Sequence, residues 1–292
     1  MHTFVLRPTV LRLVLSALVL APPALTATSL PAETTAQTAV TAADLSRILQ
    51  IPGIIAVMRL EGLEYGRSLE AEMFPGRGGD AWGATVALVY DEPTMLKRFQ
   101  AAFATALEGD PASRTAVAAW FDTTLGQKIL TLEIEARRAL MDKAVEAAAQ
   151  ARADQMVADA DPRMTALRDF AVANDLIEEN VQGALNANLG FYQGMGQAGA
   201  FGNDMTEEQM LADVWGQESD IRTETEAWLF PFLALAYAPL SDADLQGYTD
   251  FSRTPAGQRM NTALFAAFDA VFVQISRDLG RAVAHQMTGD DI

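Results

Sequence analysis

The sequence contains no cysteine and only two histidines, and both shortages narrow what the protein can do. Without cysteine, the chain has no disulfide, no thiolate nucleophile and no site for lipid attachment through sulfur. His2 lies at the extreme N-terminus, so His285 is the single histidine of the remaining chain and a zinc site with several histidine ligands is excluded. We therefore predict a protein that is not an enzyme, with no catalytic residue, no metal site and no cofactor.

Positive charge is also scarce. Lysine and arginine total 21 against 38 aspartate and glutamate residues, which gives a formal net charge of −17. Nucleic acids and anionic lipid surfaces both attract proteins through local positive charge. The composition therefore argues against nucleic acid as a partner.

The first residues have the pattern of a secretory signal peptide. Arg7 and Arg12 accompany an apolar stretch over residues 10–21, and Pro22, Pro23 and small residues follow. The stretch is shorter than the roughly 20 residues that span a bilayer. We predict cleavage after Ala27, with later sites and an uncleaved anchor as alternatives. This gives a signal peptide at 1–27, a flexible leader at 28–42, and a periplasmic or secreted protein of a Gram-negative-type bacterium with no transmembrane span after cleavage.

The remainder predicts an all-α fold, because helix start signals recur and strand patterns are few. The segments 41–44 and 206–209 resemble capping boxes, and Asp110-Pro111 and Asp161-Pro162 each place a capping side chain before a proline. Long helices are predicted over residues 125–160 and 255–286. The apolar run at 228–240 is too short for a membrane span, so we predict a buried helix there.

One motif occurs twice. The segment 120–129 aligns without gaps with 251–260, and both contain Thr-x-x-Gly-Gln followed by a basic residue. The matched residues are Thr123, Gly126, Gln127 and Lys128 in the first copy, and Thr254, Gly257, Gln258 and Arg259 in the second. We predict two pseudo-repeated helical bundles, at 43–160 and 163–288, each with a long helix after the motif. Chance similarity in an alanine-rich helical chain is the alternative.

The second copy resembles a known signature. Thr254-Pro-Ala-Gly257-Gln258-Arg259 is similar to the Ser/Thr-Pro-x-Gly-x-Lys/Arg motif of the bacterial family called domain of unknown function 2059. The resemblance is clearest over residues 205–285, because Thr124 stands in the first copy where the family has proline. It implies an exported, helical, envelope-associated protein, and it supplies no activity or catalytic residue.

The repeated motif permits two interpretations. In the structural one, Gly126 and Gly257 allow another helix to pack closely, while Lys128 and Arg259 pair with acids such as Asp122 or Asp250. In the functional one, the helix start, the threonine hydroxyl and the basic side chain together bind an anion such as phosphate. We favour the structural interpretation.

A glycine-rich segment at 194–204 contains the pattern GxGxxG. No strand precedes it, so a dinucleotide site is not predicted. We predict instead a mobile connector whose apolar residues Phe191, Tyr192, Met195 and Phe201 either fold onto the core or form a contact loop for a partner.

These observations favour a binding role or an interaction within the cell envelope, with another envelope protein or a small ligand as partner. The alternative is a carrier of a small apolar or anionic ligand in a groove between the repeats. A carboxylate-dependent hydrolase is the third hypothesis.

Overall fold

The structure, a computed structural model, describes residues 40–202 and 205–288, and these form thirteen α-helices and no strand. The helices are α1 (Ala42–Ile48), α2 (Ile51–Met73), α3 (Gly79–Val89), α4 (Glu92–Ala106), α5 (Pro111–Phe121), α6 (Thr124–Ala139), α7 (Lys143–Ala158), α8 (Pro162–Ala173), α9 (Leu176–Gln197), α10 (Glu207–Trp215), α11 (Glu218–Ala236), α12 (Asp242–Ser252) and α13 (Pro255–Thr288). The all-α prediction is confirmed. The predicted signal peptide and residues 28–39 of the predicted leader lie outside the described residues.

The helix starts follow from local side-chain chemistry. Thr41 accepts a hydrogen bond from the Asp44 backbone N–H at 3.1 Å, and the Asp44 carboxylate accepts one from the Thr41 N–H at 3.1 Å. A second capping box joins Thr206 and Gln209 at the start of α10. Each satisfies backbone donors that a helix N-terminus otherwise leaves unpaired. Both predicted capping boxes are therefore confirmed.

The predicted long helix over residues 125–160 is wrong, because the chain breaks between α6 and α7. The Asp142 carboxylate accepts from the N–H of Ala144 at 2.7 Å and of Val145 at 3.4 Å, so it caps a new helix at this point. The second long helix is confirmed, since α13 runs without interruption for 34 residues.

Helices α9 and α13 form the centre of the molecule and touch backbone to backbone. A β-carbon on Gly194 would lie 2.1 Å from the carbonyl oxygen of Arg277, and one on Gly280 would lie 2.2 Å from that of Phe191. Only glycine permits this separation at both positions. The glycines of the GxGxxG pattern thus serve helix packing in part, and Gly190 lies against Val273 in the same way.

The two predicted segments interlock rather than standing apart. Helix α4 of the first segment packs against α13 of the second, where the rings of Phe99 and Phe268 lie 4.6 Å apart. Helix α7 of the first segment packs against α11 of the second. One hydrophobic cluster extends through residues of both segments. The two segments therefore share one hydrophobic core, and their division into two repeats stays a prediction.

The apolar run at 228–240 is placed as predicted. It forms the second half of α11 and the turn after it, with Leu229, Phe232 and Leu233 buried. No helix among the described residues combines the length and the apolar character that crossing a bilayer requires.

Candidate functional site

The first copy of the repeated motif is a closed network of internal hydrogen bonds. The Thr123 hydroxyl accepts from the Gly126 N–H at 3.0 Å and donates to the carbonyl oxygen of Trp120 at 2.7 Å. The Gln127 side chain donates to the carbonyl oxygens of Phe121 and Ile48, both at 2.8 Å. Because Ile48 ends α1, this glutamine ties the start of α6 to the end of α1.

The second copy repeats that arrangement. The Thr254 hydroxyl accepts from the Gly257 N–H at 3.0 Å. The Gln258 side chain donates to the carbonyl oxygens of Ser252 and, at 2.7 Å, of Ala173, the last residue of α8. The start of α13 is thus tied to the end of α8 as the start of α6 is tied to the end of α1.

The basic residues of the motif reach across to the other segment. The Lys128 ammonium donates to the carbonyl oxygen of Pro239 at 3.1 Å, in the turn between α11 and α12. The Arg259 guanidinium lies 3.9 Å from the carboxylate of Asp110, in the turn between α4 and α5. The predicted partners Asp122 and Asp250 were therefore wrong. Since the threonine hydroxyls and the glycine N–H groups are bonded internally, the geometry favours the structural interpretation, and anion binding stays a prediction.

The predicted contact loop is largely helix. Phe191, Tyr192 and Met195 lie within α9 and are buried, so the prediction of a mobile connector is wrong for these three residues. Phe201 lies in the turn after α9, half-buried, with its ring 6.1 Å from that of Tyr192. The glycines that suggested a loop instead let α9 approach α13.

A groove lies between α7, α8 and α11. It has a volume of about 830 Å³, within the range of roughly 300–1,000 Å³ that is typical of small-molecule sites. Its lining is predominantly apolar and includes the buried side chains of Leu167 and Leu233. The groove lies between the predicted repeats, because α7 belongs to the first and α8 and α11 to the second.

The composition of α7 explains why this space stays open. The residues that α7 buries are Ala149, Ala153 and Met156, two of which end at the β-carbon. Helix α11 presents large side chains, including Leu233, at the same place. Small side chains on one helix do not fill the space beside large ones on the other, which leaves a cleft along their contact.

Charged side chains border the groove, and most of them have partners. Asp142 caps α7, and Asp161 accepts from the Arg163 N–H at 2.9 Å at the start of α8. The Arg163 guanidinium bonds the carboxylate of Asp242 at 2.6 Å and the carbonyl oxygen of Tyr237 at 2.8 Å. Arg152 of α7 also lines the groove and is exposed.

A buried acid lies directly behind the groove. Oε1 of Glu133, on α6, accepts hydrogen bonds from the hydroxyls of Tyr237 and Tyr248, each at 2.7 Å. Arg137, one turn along, forms a two-point ion pair with Glu61 instead, at 2.8 and 2.7 Å. Burial raises the pKa of Glu133 to about 8, and the two tyrosine hydrogen bonds only partly oppose this. Because Tyr237 also lines the groove, it connects the groove to this carboxyl group.

A smaller cavity of about 200 Å³ between α9 and α13 contains two further acids, Glu179 and Asp269. Burial raises the pKa of both, and an Asn186 hydrogen bond to Asp269 at 3.0 Å opposes it there. Within residues 40–202 and 205–288, no group of three or more His, Asp or Glu side chains is arranged to hold a metal ion.

Sequence analysis predicted a groove between the repeats but named none of its residues. The signal that marks it is the alanine-rich character of α7, which contrasts with the bulky apolar run at the end of α11. Their proximity depends on a contact between segments about 80 residues apart, which periodicity within one helix does not reveal.

Part of the chain matches the model of a known protein family. Residues 92–155 match the model of a family described as "Uncharacterized protein conserved in bacteria (DUF2059)". The family resemblance predicted from the motif is thereby confirmed. The matched region contains the first copy of the motif, whereas the sequence predicts the clearest resemblance around the second copy. Neither a curated protein nor a solved structure matches the chain.

Proposed function

We propose that this chain is a non-catalytic binding protein of the bacterial cell envelope and that its ligand site is the groove between α7, α8 and α11. The ligand is a small, largely apolar molecule. The observation that carries the proposal is the lining, in which twelve of the eighteen residues are apolar. Apolar walls with a few polar groups at the border are typical of small-molecule sites.

The placement of the ionisable groups supports binding over catalysis. Glu133 has the chemistry of a general acid, with a pKa raised to about 8. Its side chain is sealed behind Tyr237 and Tyr248, where no substrate reaches it in this conformation. The charged groups Asp142, Asp161 and Arg163 at the groove are engaged in caps and an ion pair.

Export and the internal repeat belong to the same proposal. Export rests on the pattern of residues 1–27, and fractionation of cells that express the full chain would test it. The repeat is supported by the matched hydrogen bonds of Gln127 and Gln258 and by the reciprocal contacts of Lys128 and Arg259.

Binding can be tested with phenylnaphthylamine, an uncharged probe that fluoresces in apolar surroundings. Ala148 lines the groove and is exposed, so Ala148→Trp fills the space without entering the core. Ala147→Trp, on the same helix and outside the lining, is the matched control. We expect the parent protein and Ala147→Trp to bind the probe, and Ala148→Trp to bind it at least about tenfold more weakly, a loss of roughly 1.4 kcal/mol. Equal binding by all three proteins would overturn the proposed site.

A second candidate function, contact with another envelope protein, is favoured by one exposed surface. Trp215 and Leu211 lie one turn apart on α10 with 57% and 38% of their surface exposed. Glu207 and Glu208 precede them on the same helix. An apolar stripe beside acids fits a basic segment that carries apolar side chains. Trp215→Ala should abolish recovery of such a partner by cross-linking in cells while probe binding in the groove is unchanged.

A further inference from the structure

We infer that the groove selects a ligand with one negative charge at the end of an apolar chain, and that the Arg152 guanidinium binds that charge. This inference rests on the proposed function of the groove and adds the chemical class of the ligand. It follows from which charged groups at the groove are already satisfied and which one is not.

The acids at the groove have partners within the protein. Asp142 accepts from two N–H groups at the start of α7, and Asp161 accepts from the N–H of Arg163. Asp242 is paired with the Arg163 guanidinium, which also donates to two carbonyl oxygens near the end of α11. A carboxylate that already accepts hydrogen bonds from a helix N-terminus or an arginine has less capacity to hold a cationic ligand.

Arg152 differs from every other charged residue in the lining. Its guanidinium has no hydrogen bond or ion pair within the described part of the chain. The positions three and four residues away on α7 are occupied by Ala148, Ala149, Gln155 and Met156, none of which is charged. Lys143, on the same helix, shows the usual alternative, since it pairs with Glu146 at 2.9 Å.

The neighbours of Arg152 define the rest of the ligand. Ala148, Ala149 and Met156 extend from it along the groove wall and are apolar. A guanidinium donates two parallel hydrogen bonds to a carboxylate, so a monocarboxylate fits this end of the site. An apolar chain on the same molecule would then lie along Leu167 and Leu233. The complementary class is an anionic amphiphile, such as a fatty acid.

The test compares three probes with the same chain and different heads, dodecanoate, dodecanol and dodecyltrimethylammonium, each below its micellar concentration. Displacement of phenylnaphthylamine from the full chain gives the three affinities. We expect dodecanoate to bind about tenfold more tightly than dodecanol, as a charge-assisted hydrogen bond provides. Dodecyltrimethylammonium should bind most weakly.

Charge reversal assigns that preference to one residue. In Arg152→Glu the order of dodecanoate and dodecyltrimethylammonium should invert, while dodecanol affinity stays within about twofold of the parent, a difference below roughly 0.5 kcal/mol. Arg77→Glu makes the same change in net charge at an exposed turn outside the groove and should leave all three affinities unchanged. A thermal melt of each variant confirms that it is folded.

The outcomes separate the two proposals. If none of the three probes binds, the proposed function fails and this inference fails with it. If dodecanol and dodecanoate bind equally, or if Arg77→Glu changes the preference as much as Arg152→Glu, the groove binds apolar ligands but the assignment to Arg152 is overturned.

Discussion

Gly257 lies directly against the backbone of Phe251, so that a β-carbon on it would stand 2.1 Å from the Phe251 carbonyl oxygen. Gly126 has the same relation to the preceding helix, with the carbonyl oxygen of Trp120 at 2.7 Å from its ideal β-carbon. In both cases the obstacle is backbone, which cannot turn aside as a side chain can.

We therefore expect Gly257→Ala to lower the free energy of unfolding by about 3 kcal/mol or more, and Gly126→Ala by about 1–3 kcal/mol. Urea denaturation followed by far-UV circular dichroism measures both. Gly83→Ala is the control, because Gly83 lies within α3 and no atom lies near the position of an added β-carbon. We expect its free energy of unfolding to rise by up to about 1 kcal/mol. Unchanged stability in Gly257→Ala would show that the close contact does not exist in solution.

The buried Glu133 makes stability depend on pH. Unfolded, its carboxyl ionises near its ordinary pKa of 4.5, whereas burial holds the native pKa at about 8. Between these values the native state binds the extra proton, so the stabilisation is complete below about pH 4.5, is lost progressively as pH rises, and levels off above about pH 8. The loss is on the order of 3–5 kcal/mol.

Glu133→Gln should remove this slope, because glutamine keeps an oxygen for Tyr237 and Tyr248 but does not ionise. Urea denaturation at several pH values compares it with the parent and with Glu135→Gln, an exposed position on the same helix. We expect the free energy of unfolding of Glu133→Gln to equal that of the parent in acid and to exceed it above about pH 8. A parent slope that persists in Glu133→Gln would assign the pH dependence to other groups.

Ala160 adopts a left-handed backbone conformation, with φ of 49°, in the turn between α7 and α8. The turn is stabilised by the Asp161 N–H, which donates to the carbonyl oxygen of Met156 at 2.9 Å. A β-carbon disfavours this conformation by roughly 1–2 kcal/mol. Ala160→Gly should therefore raise the free energy of unfolding by about 1 kcal/mol, measured by thermal or urea denaturation. Ala151→Gly, inside α7 and exposed, should lower it by a similar amount.

The contacts of Lys128 and Arg259 should contribute little to stability. Lys128 is exposed, and the Arg259 side chain is 41% exposed with its carboxylate partner 3.9 Å away. Exposed pairs of this kind contribute about 0–1 kcal/mol. We expect each alanine variant to unfold within about 1 kcal/mol of the parent and to leave phosphate binding, measured by calorimetry, undetectable in all three proteins. Phosphate binding by the parent that both variants lose would revive the anion-site interpretation.

The sequence predicts this fold best where one residue decides a local structure. Threonine and aspartate caps set the starts of α1, α5, α8 and α10, and these are found where predicted. The sequence predicts the fold less well where a local structure depends on contact with a distant segment of the chain. Gly194 indicates a loop by its own propensity, but its close approach to the backbone of Arg277 explains why glycine occupies this helical position.

Asp142 illustrates a different limit. It lies within an alanine-rich stretch that favours a continuous helix, yet its carboxylate begins a new one. Helix propensity summed over the window predicts one continuous helix, and it does not register the single capping residue that breaks the helix in the structure. The sequence does not mark Arg152 as a binding residue either. An exposed arginine on a helix is ordinary by itself. It becomes a candidate only when its lack of an acidic neighbour is combined with its place in the same groove as Leu233.

The glycine contact between α9 and α13 and the alanine contact between α7 and α11 should differ in stiffness. Where the backbones of α9 and α13 touch, sliding one helix past the other would bring carbonyl oxygens into steric conflict. This contact is therefore rigid. Where methyl groups meet leucines, a helix can shift by a fraction of a turn at modest cost. We therefore expect α7, residues 143–158, to shift more readily than α9 or α13 when a ligand enters the groove.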